Sequence, residues 1–497
     1  MSLKQNILSG YFAQAYTAVI SIVMVPLYLK YMGAEAYGLV GFFTMLLSWL
    51  QLMDMGLTPT LSRELSRFRA GALSALEVCT LVRSLEWLFG ILAVICVVAS
   101  LLGSSWIAVY WLKVQKLGIN EVANCIAIMG GIGGLRWLTG IYRSGLIGLD
   151  RQFSVNGISV VIATLRSVVV LGILIYWSPS PLVFFSYQAV IAVVECITFR
   201  QVLYSAIPSV QMPVLPDWSS LNKISGFAGS IAFTAGIWVV IMQLDKLILS
   251  HYLTLKDYGY FSLAASVANG IILLSAPLNQ ALQPRLTILA SQGQEVEFIK
   301  LYRTATQLSA VIMVTLGGIL SSFSEQLLLA WTGKHEIATH AAPILFWYAM
   351  GNAVVGLLSL PYLLQYARGY LRLHVIGNIL FMLLWIPAII FSSSRYGGVG
   401  AGVTWFVGNL GFMLIWVTYV HQRLAPSIVF AWFFRDIFMV VIAPIAVLTA
   451  LSITAPDLHS RLIAASYLVL CGIIVLVVAA LFASDVRKIS FRLIGIK

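Results

Sequence analysis

Charge is scarce in this chain. Only 10 % of its 497 residues are Asp, Glu, Lys or Arg, where a soluble globular chain carries about 25 %. Cysteine is scarcer still: five residues, at positions 79, 96, 125, 196 and 471, with no C-x-x-C pair. They read as small apolar residues in helix packing, with no disulfide framework and no zinc site. There is no phosphate-cradling G-x-x-x-x-G-K-[ST] loop; Trp331-Thr332-Gly333-Lys334 lacks the upstream glycine. These absences exclude a soluble enzyme, a nucleic-acid binder, a disordered chain and direct ATP drive. No cofactor or metal is expected.

What is abundant is apolar: 60 % of the residues, with a mean hydropathy of +0.94. Lipid must therefore be the solvent for most of the chain. A bilayer core of about 30 Å takes about 20 helical residues. Fourteen stretches qualify, at about 7–29, 39–60, 84–104, 119–141, 153–176, 181–200, 224–250, 258–283, 305–331, 343–366, 371–391, 400–420, 434–453 and 461–483. The first is too long for a signal peptide and lacks a small-residue cleavage site, so it reads as a span.

The net charge is +12, and its distribution orients the chain. With the N-terminus inside, twenty basic residues fall on inner loops and flanks, from Lys4 and Arg63 through Lys223 to Arg492 and Lys497. Seven fall outside, among them Lys113, Lys116, Lys256 and Lys334. Both termini are then cytoplasmic. Three bases remain inside the membrane: Arg136, Arg166 and Lys246.

The halves echo each other at an offset of about 220 residues. Ser9-Gly10-Tyr11-Phe12 answers to Ser225-Gly226-Phe227, Tyr37-Gly38 to Tyr258-Gly259, and Glu77 with Arg83 to Glu297 with Arg303. Each half holds six spans, so the copies share one orientation, as in parallel-repeat transporters. The fold expected is all-α and polytopic: about 14 transmembrane helices, two parallel six-helix bundles around a central cavity, and two extra C-terminal helices. The bundles take residues 1–205 and 224–423, joined by a cytoplasmic linker at 206–223 with Pro208, Pro213 and Pro216. Residues 424–497 form the additional helices and a basic tail.

Several of these segments resemble a known family. They are Pro26-Leu27-Tyr28-Leu29-Lys30-Tyr31-Met32-Gly33, Leu52-Met53-Asp54-Met55-Gly56-Leu57 with Arg63-Glu64, Gln243-Leu244-Asp245-Lys246, Pro277-Leu278 and Pro284-Arg285. They are similar to the bacterial polysaccharide flippases, a branch of the multidrug/oligosaccharidyl-lipid/polysaccharide exporter superfamily. The resemblance implies translocation of an undecaprenyl-diphosphate-linked oligosaccharide across the inner membrane. Its implied partners are that lipid-linked oligosaccharide, the bilayer, a polysaccharide polymerase and a chain-length regulator. Peptidoglycan-precursor flippases and cation-coupled multidrug exporters share the pattern. A membrane glycosyltransferase or polymerase would need catalytic groups on a sizeable loop, and the outer loops here are short and carry few carboxylates.

A charge inside a bilayer is costly, so it faces a cavity or a partner. Arg166 lies mid-span and is a candidate for the cargo's diphosphate, the other reading being an ion pair with an acid from another helix. Arg136 could share that field or snorkel from Arg143's end of its span. Lys246 follows Asp245, and neighbours about 100° apart on a helix are poorly placed to pair with each other. Asp245, Asp54 and Glu86 are the candidates for coupling or gating. Asp54 could equally pair with Arg63, Glu86 has Arg83 at i−3, and Glu195 reads as an interfacial carboxylate. Tryptophans and asparagines such as Trp137 and Asn352 serve as well for interfacial belts and helix packing as for sugar contacts.

Overall fold

The computed structural model describes residues 3–54, 56–208, 215–454 and 461–493, without the side chains of 3–8, 220–235, 462 and 489–493. Several readings above fall outside the described residues: the signature residue Met55, the linker residues 209–214 with Pro213, and the side chains of Lys4, Lys223, Ser225, Phe227, Arg492 and Lys497. The chain is all-α. Its helices are α1 (Leu3–Tyr31), α2 (Gly33–Leu50), α3 (Leu57–Arg69), α4 (Ala75–Trp106), α5 (Ile119–Gly148), α6 (Gln152–Thr164), α7 (Val170–Tyr176), α8 (Pro181–Ala206) and α9 (Trp218–Tyr252). There follow α10 (Leu255–Ser291), α11 (Glu295–Ser322), α12 (Ser324–Thr332), α13 (His335–Ala367), α14 (Leu371–Phe412), α15 (Thr418–Leu424), α16 (Met439–Ile453), α17 (Arg461–Phe482) and α18 (Ser484–Leu493). Among the described residues there is no β-strand, only a single bridge between Lys113 and Thr254.

Twelve segments among the described residues are long and apolar enough to cross a membrane. Sequence leads one to expect fourteen, and the difference lies in two places. Leu371–Leu424 runs on as one 54-residue segment, but Gly397 inside it has φ 57°, ψ −140°. That conformation belongs to glycine and bends the chain between two spans. The other place is α9, 35 residues long, whose side chains are only partly described.

Two compact units, Met1–Gly259 and Tyr260–Lys497, make up the chain. In the first, α5 is the central helix: 61 % of its apolar stretch is buried, against 11 % for α4. Glycines make this possible. A Cβ at Gly134 would lie 2.8 Å from that of Ala93 on α4, so the helix backbones approach closely, as small residues allow in membrane bundles. The face of α4 away from α5 exposes Val94, Leu101 and Leu102, the surface a lipid-facing helix should offer. A core of Leu61, Leu65, Val82, Leu85, Phe89, Ile141, Leu146, Phe199 and Leu203 ties α3, α4, α5 and α8 together. In the second unit Phe323, Leu448, Leu468, Cys471 and Val475 bind α16 and α17 to the end of α11.

Helix starts follow local chemistry. Ser74 accepts from the Glu77 amide while the Glu77 carboxylate accepts from the Ser74 amide at 2.8 Å, a reciprocal cap that begins α4. Glu297, which the sequence pattern pairs with Glu77, sits in the first turn of α11. The arginines of that pattern part company: Arg83 turns to Glu86 and Arg303 to Asp436.

Candidate functional site: a buried arginine in a membrane cavity

α5 carries Arg136 into a cavity of about 430 Å³ inside the first unit. Its walls include Leu50, Gln51, Asp54, Thr58, Gly133, Trp137 and Val239. The guanidinium lies 5.5 Å from the centre of the Phe43 ring, a cation–π distance. Its Nε is buried and has no hydrogen-bond partner among the described residues. A buried unpaired donor of this kind is costly, and the cavity beside it leaves room for an acceptor. Trp137 is held aside by donating its indole N–H to the Leu50 carbonyl at 2.9 Å.

Asp54 faces the same cavity. The helix breaks at Gly56, φ 68°, and Asp54 accepts from the Thr58 amide at 3.3 Å and from the Thr58 hydroxyl. It thus caps α3. Arg63 lies 3.8 Å from Glu64.

Arg166 is not among the residues lining that cavity. It pairs with Glu195 of α8, Nη2 to Oε2, at 2.5 Å. Both lie within electrostatic reach of Arg136. The chain at Leu165–Val169 is π-helical, which frees backbone carbonyls that an α-helix would occupy. Three of them accept from neighbouring helices: Leu165 from Tyr187 at 3.0 Å, Arg166 from Gln188 at 3.1 Å, and Ser167 from Tyr28 at 2.9 Å. Glu195 departs from the sequence expectation of an interfacial acid near the end of its span. It lies near the middle of α8, because the helix continues past Arg200 to Ala206. Gln188, seven residues before Glu195, was the available signal: two polar groups on one face of an apolar helix.

Asp245 and Lys246 correct the reading that adjacent helical residues are poorly placed to pair. The Lys246 ammonium reaches back to the Met242 carbonyl at 2.5 Å and lies 3.4 Å from Asp245 Oδ1. The 100° angle separates Cβ vectors, but the four-carbon lysine stem is long enough to close it.

Glu86 stands apart from the cavity, beside the core of α3, α4, α5 and α8. The local pair with Arg83 forms as expected, at 3.1 Å. Sequence reasoning missed the rest: Tyr142 and Tyr204 donate to Glu86 at 2.9 and 2.8 Å, and Arg200 lies 3.6 Å away. Nothing in the local sequence ties these residues to Glu86, since they come from other helices.

Residues 3–289, more than half the chain, match the profile of a family described as polysaccharide biosynthesis protein. The chain belongs to this polysaccharide biosynthesis family. No curated protein sequence matches it significantly. Among solved structures, the family member is similar to the lipid II flippase MurJ in an inward closed conformation, with TM-score 0.72 and 14 % identity, covering 96 % of this chain and 99 % of that one. It is also similar to an inward-facing multidrug resistance MATE transporter of the MOP superfamily, TM-score 0.68, 12 % identity, 82 % and 95 % covered. The MATE multidrug transporter DinF-BH gives TM-score 0.60 at 13 % identity, with 86 % and 97 % covered. At these identities the likeness is one of fold. This member of the polysaccharide biosynthesis family therefore shares its fold with membrane transporters.

Proposed function

We propose that this protein is a secondary transporter that flips undecaprenyl-diphosphate-linked oligosaccharide repeat units from the inner to the outer leaflet of the bacterial cytoplasmic membrane. O-antigen, capsule or exopolysaccharide assembly would use the product. The family and the transporter fold support transport. The observation that carries an anionic cargo is Arg136, a buried guanidinium with an unmet donor beside a cavity. Guanidinium presents a rigid fork matched to phosphate oxygens. Arg166 and Lys246 each have an acid within ion-pair distance; Arg166 Nε, like Arg136 Nε, has no hydrogen-bond partner among the described residues, but of these three bases Arg136 alone lines the cavity, so it supplies the donor for the cargo.

On this reading both termini are cytoplasmic, the two six-helix bundles at 1–205 and 224–423 alternate access to a central cavity, and α16 to α18 lie outside the repeat. Asp54, Asp245 and Glu86 remain the candidates for coupling or gating. A polymerase and a chain-length regulator would act on the exported unit.

The test is a strain lacking the gene. Sugar-loaded carrier lipid should accumulate on the inner leaflet and surface polysaccharide should disappear. Wild-type protein should restore export; Arg136→Glu should insert and fail. Normal surface polysaccharide in the deletion strain would refute the proposal. A second reading, a peptidoglycan-precursor flippase, has one specific support: likeness to MurJ over nearly the whole length of both chains. It would show itself as rescue of cells depleted of their own lipid II flippase.

A further inference from the structure

α4 carries a second opening in the first unit, a groove of about 480 Å³ whose walls include Glu86, Trp87, Gly90, Ile91, Val94 and Ile95. It shares no lining residue with the cavity at Arg136. Two rows at four-residue steps, 86–90–94 and 87–91–95, make one stripe along the helix. Trp87, Ile91, Val94 and Ile95 are exposed, and a Cβ built on Gly90 meets open space. At 1.5 Å per residue the stripe is about 13 Å long, close to one leaflet of a bilayer core of about 30 Å.

The stripe is apolar except at Glu86, where it ends in a cluster of charge. Glu86 Oε2 accepts from Arg83 at 3.1 Å and from Tyr204 at 2.8 Å. Its Oε1 accepts from Tyr142 at 2.9 Å and lies 3.6 Å from Arg200 Nε. Both oxygens are thus engaged, and the carboxylate side chain is 11 % exposed. The two arginines, in contrast, are 41 % and 49 % exposed. Each guanidinium lies over the Tyr204 ring, 5.2 and 5.1 Å from its centre. Among the described residues, Glu86 is the one acid within ion-pair distance of either. Two arginines sharing one carboxylate leave the cluster with one positive charge in excess. Arg83 comes from α4 and Arg200 from α8, so a ligand that takes both ties these helices together.

We propose that the groove and its arginine pair form a binding site for one anionic phospholipid, with the phosphodiester against Arg83 and Arg200 and an acyl chain along Gly90, Ile91, Val94 and Ile95. Its assignment to the cytoplasmic leaflet rests on the orientation proposed above. The guanidinium forks match phosphate oxygens, and basic sites at the cytoplasmic face of a membrane take such headgroups. One excess charge matches the single negative charge of a phosphodiester; the diphosphate of the proposed cargo carries at least two. The length of the stripe fits a chain that stays within one leaflet. Trp87, exposed beside Glu86, stands where aromatic side chains meet headgroups.

Native mass spectrometry of the full-length protein in detergent tests this, with phosphatidylglycerol and zwitterionic phosphatidylcholine as the probes. Wild type should retain one phosphatidylglycerol, bound about thirtyfold more tightly than phosphatidylcholine, the worth of two basic residues at an anionic surface. Arg83→Ala with Arg200→Ala should abolish that preference. Gly90→Leu keeps both arginines but fills the groove, and should weaken phosphatidylglycerol about tenfold, the loss of one to two buried methylenes' worth of contact. Arg423→Ala with Arg435→Ala removes two exposed arginines of the second unit and should change nothing. Equal phosphatidylglycerol binding by wild type, the Arg83/Arg200 variant and Gly90→Leu overturns the site. So does an equal loss in the Arg423/Arg435 variant, which would make the effect one of general surface charge. Competition by inorganic phosphate at the same concentration, or displacement of the lipid by undecaprenyl diphosphate, also overturns the assignment to a phospholipid. If phosphatidylglycerol binds as expected but the protein restores no surface polysaccharide to the deletion strain, the lipid site stands and the cargo reading fails.

Discussion

Arg136 in the first unit and Arg303 in the second are both arginines set in apolar helices, and they are treated in opposite ways. Arg303 binds Asp436 through two parallel hydrogen bonds, 2.7 and 2.9 Å. Asp436 is fully buried and also accepts from Gln307 at 2.7 Å; Gln307 in turn receives the Asp485 amide at 2.8 Å. Nearby, the Tyr302 hydroxyl and the His421 Nε2 lie 3.0 Å apart, and Trp432 donates to Thr306 at 3.0 Å. This network ties α11, the π-helical stretch Ala431–Phe438 and α18 into one piece. Arg136 has an aromatic ring, a cavity and an unsatisfied Nε. A guanidinium matched bidentately by a carboxylate fixes structure. One with an unpaired donor beside a cavity is the group that, on the function proposed above, would meet an anionic cargo.

The contrast can be broken most severely at Asp436. Asp436→Ala should strand Arg303 and cost about 3–5 kcal/mol, seen as a large drop in thermal stability of the detergent-solubilised protein. A drop of less than about 1 kcal/mol, the worth of an ordinary exposed pair, would mean that the network is ornamental. Next comes Arg136→Ala, which should leave stability near wild type but lower export about tenfold to a hundredfold, since hydrogen bonds to charged groups are worth about 1.5–3 kcal/mol. Arg136→Lys should recover part of it, keeping charge but losing the fork. If Arg136→Ala instead destabilises as much as Asp436→Ala, the two arginines play the same part and the comparison fails. The Glu86 cluster lies between these cases. Tyr204→Phe removes one hydrogen bond there and should cost about 1 kcal/mol in a denaturation midpoint. Smallest is Arg83→Ala: its side chain is 41 % exposed, and such pairs contribute about 0–1 kcal/mol. An Arg83 effect larger than that of Tyr204 would show that charge, not hydrogen bonding, holds this cluster.

Membrane class and spans were legible because long apolar runs admit few structures in lipid. The pair Arg83–Glu86 was legible too, being set by helix periodicity alone. What sequence hid were helix ends and long-range partners. α8 runs on through Arg200 to Ala206, so Glu195, expected at a rim, is at mid-helix beside Arg166. Tyr142 and Tyr204 come to Glu86 from 56 and 118 positions away, and no local pattern records that. Lysine length defeated the angular argument at Asp245 and Lys246. The cavity itself was invisible, since it depends on the break at Gly56 and on how α3 folds back.

The π-helical turn at Leu165–Val169 also bears on how this chain compares with its relatives. Such a turn holds one residue more than an α-helical turn, so it behaves as an insertion absorbed without a loop. Before it, Ile162 points inward; after it, Val170 and Leu174 are still buried. A relative with an unbroken α-helix here would be one residue shorter between Gln152 and Tyr176 while burying the same positions. Any alignment across this span should therefore place a single-residue gap at Arg166 or beside it, where the extra residue carries the charge.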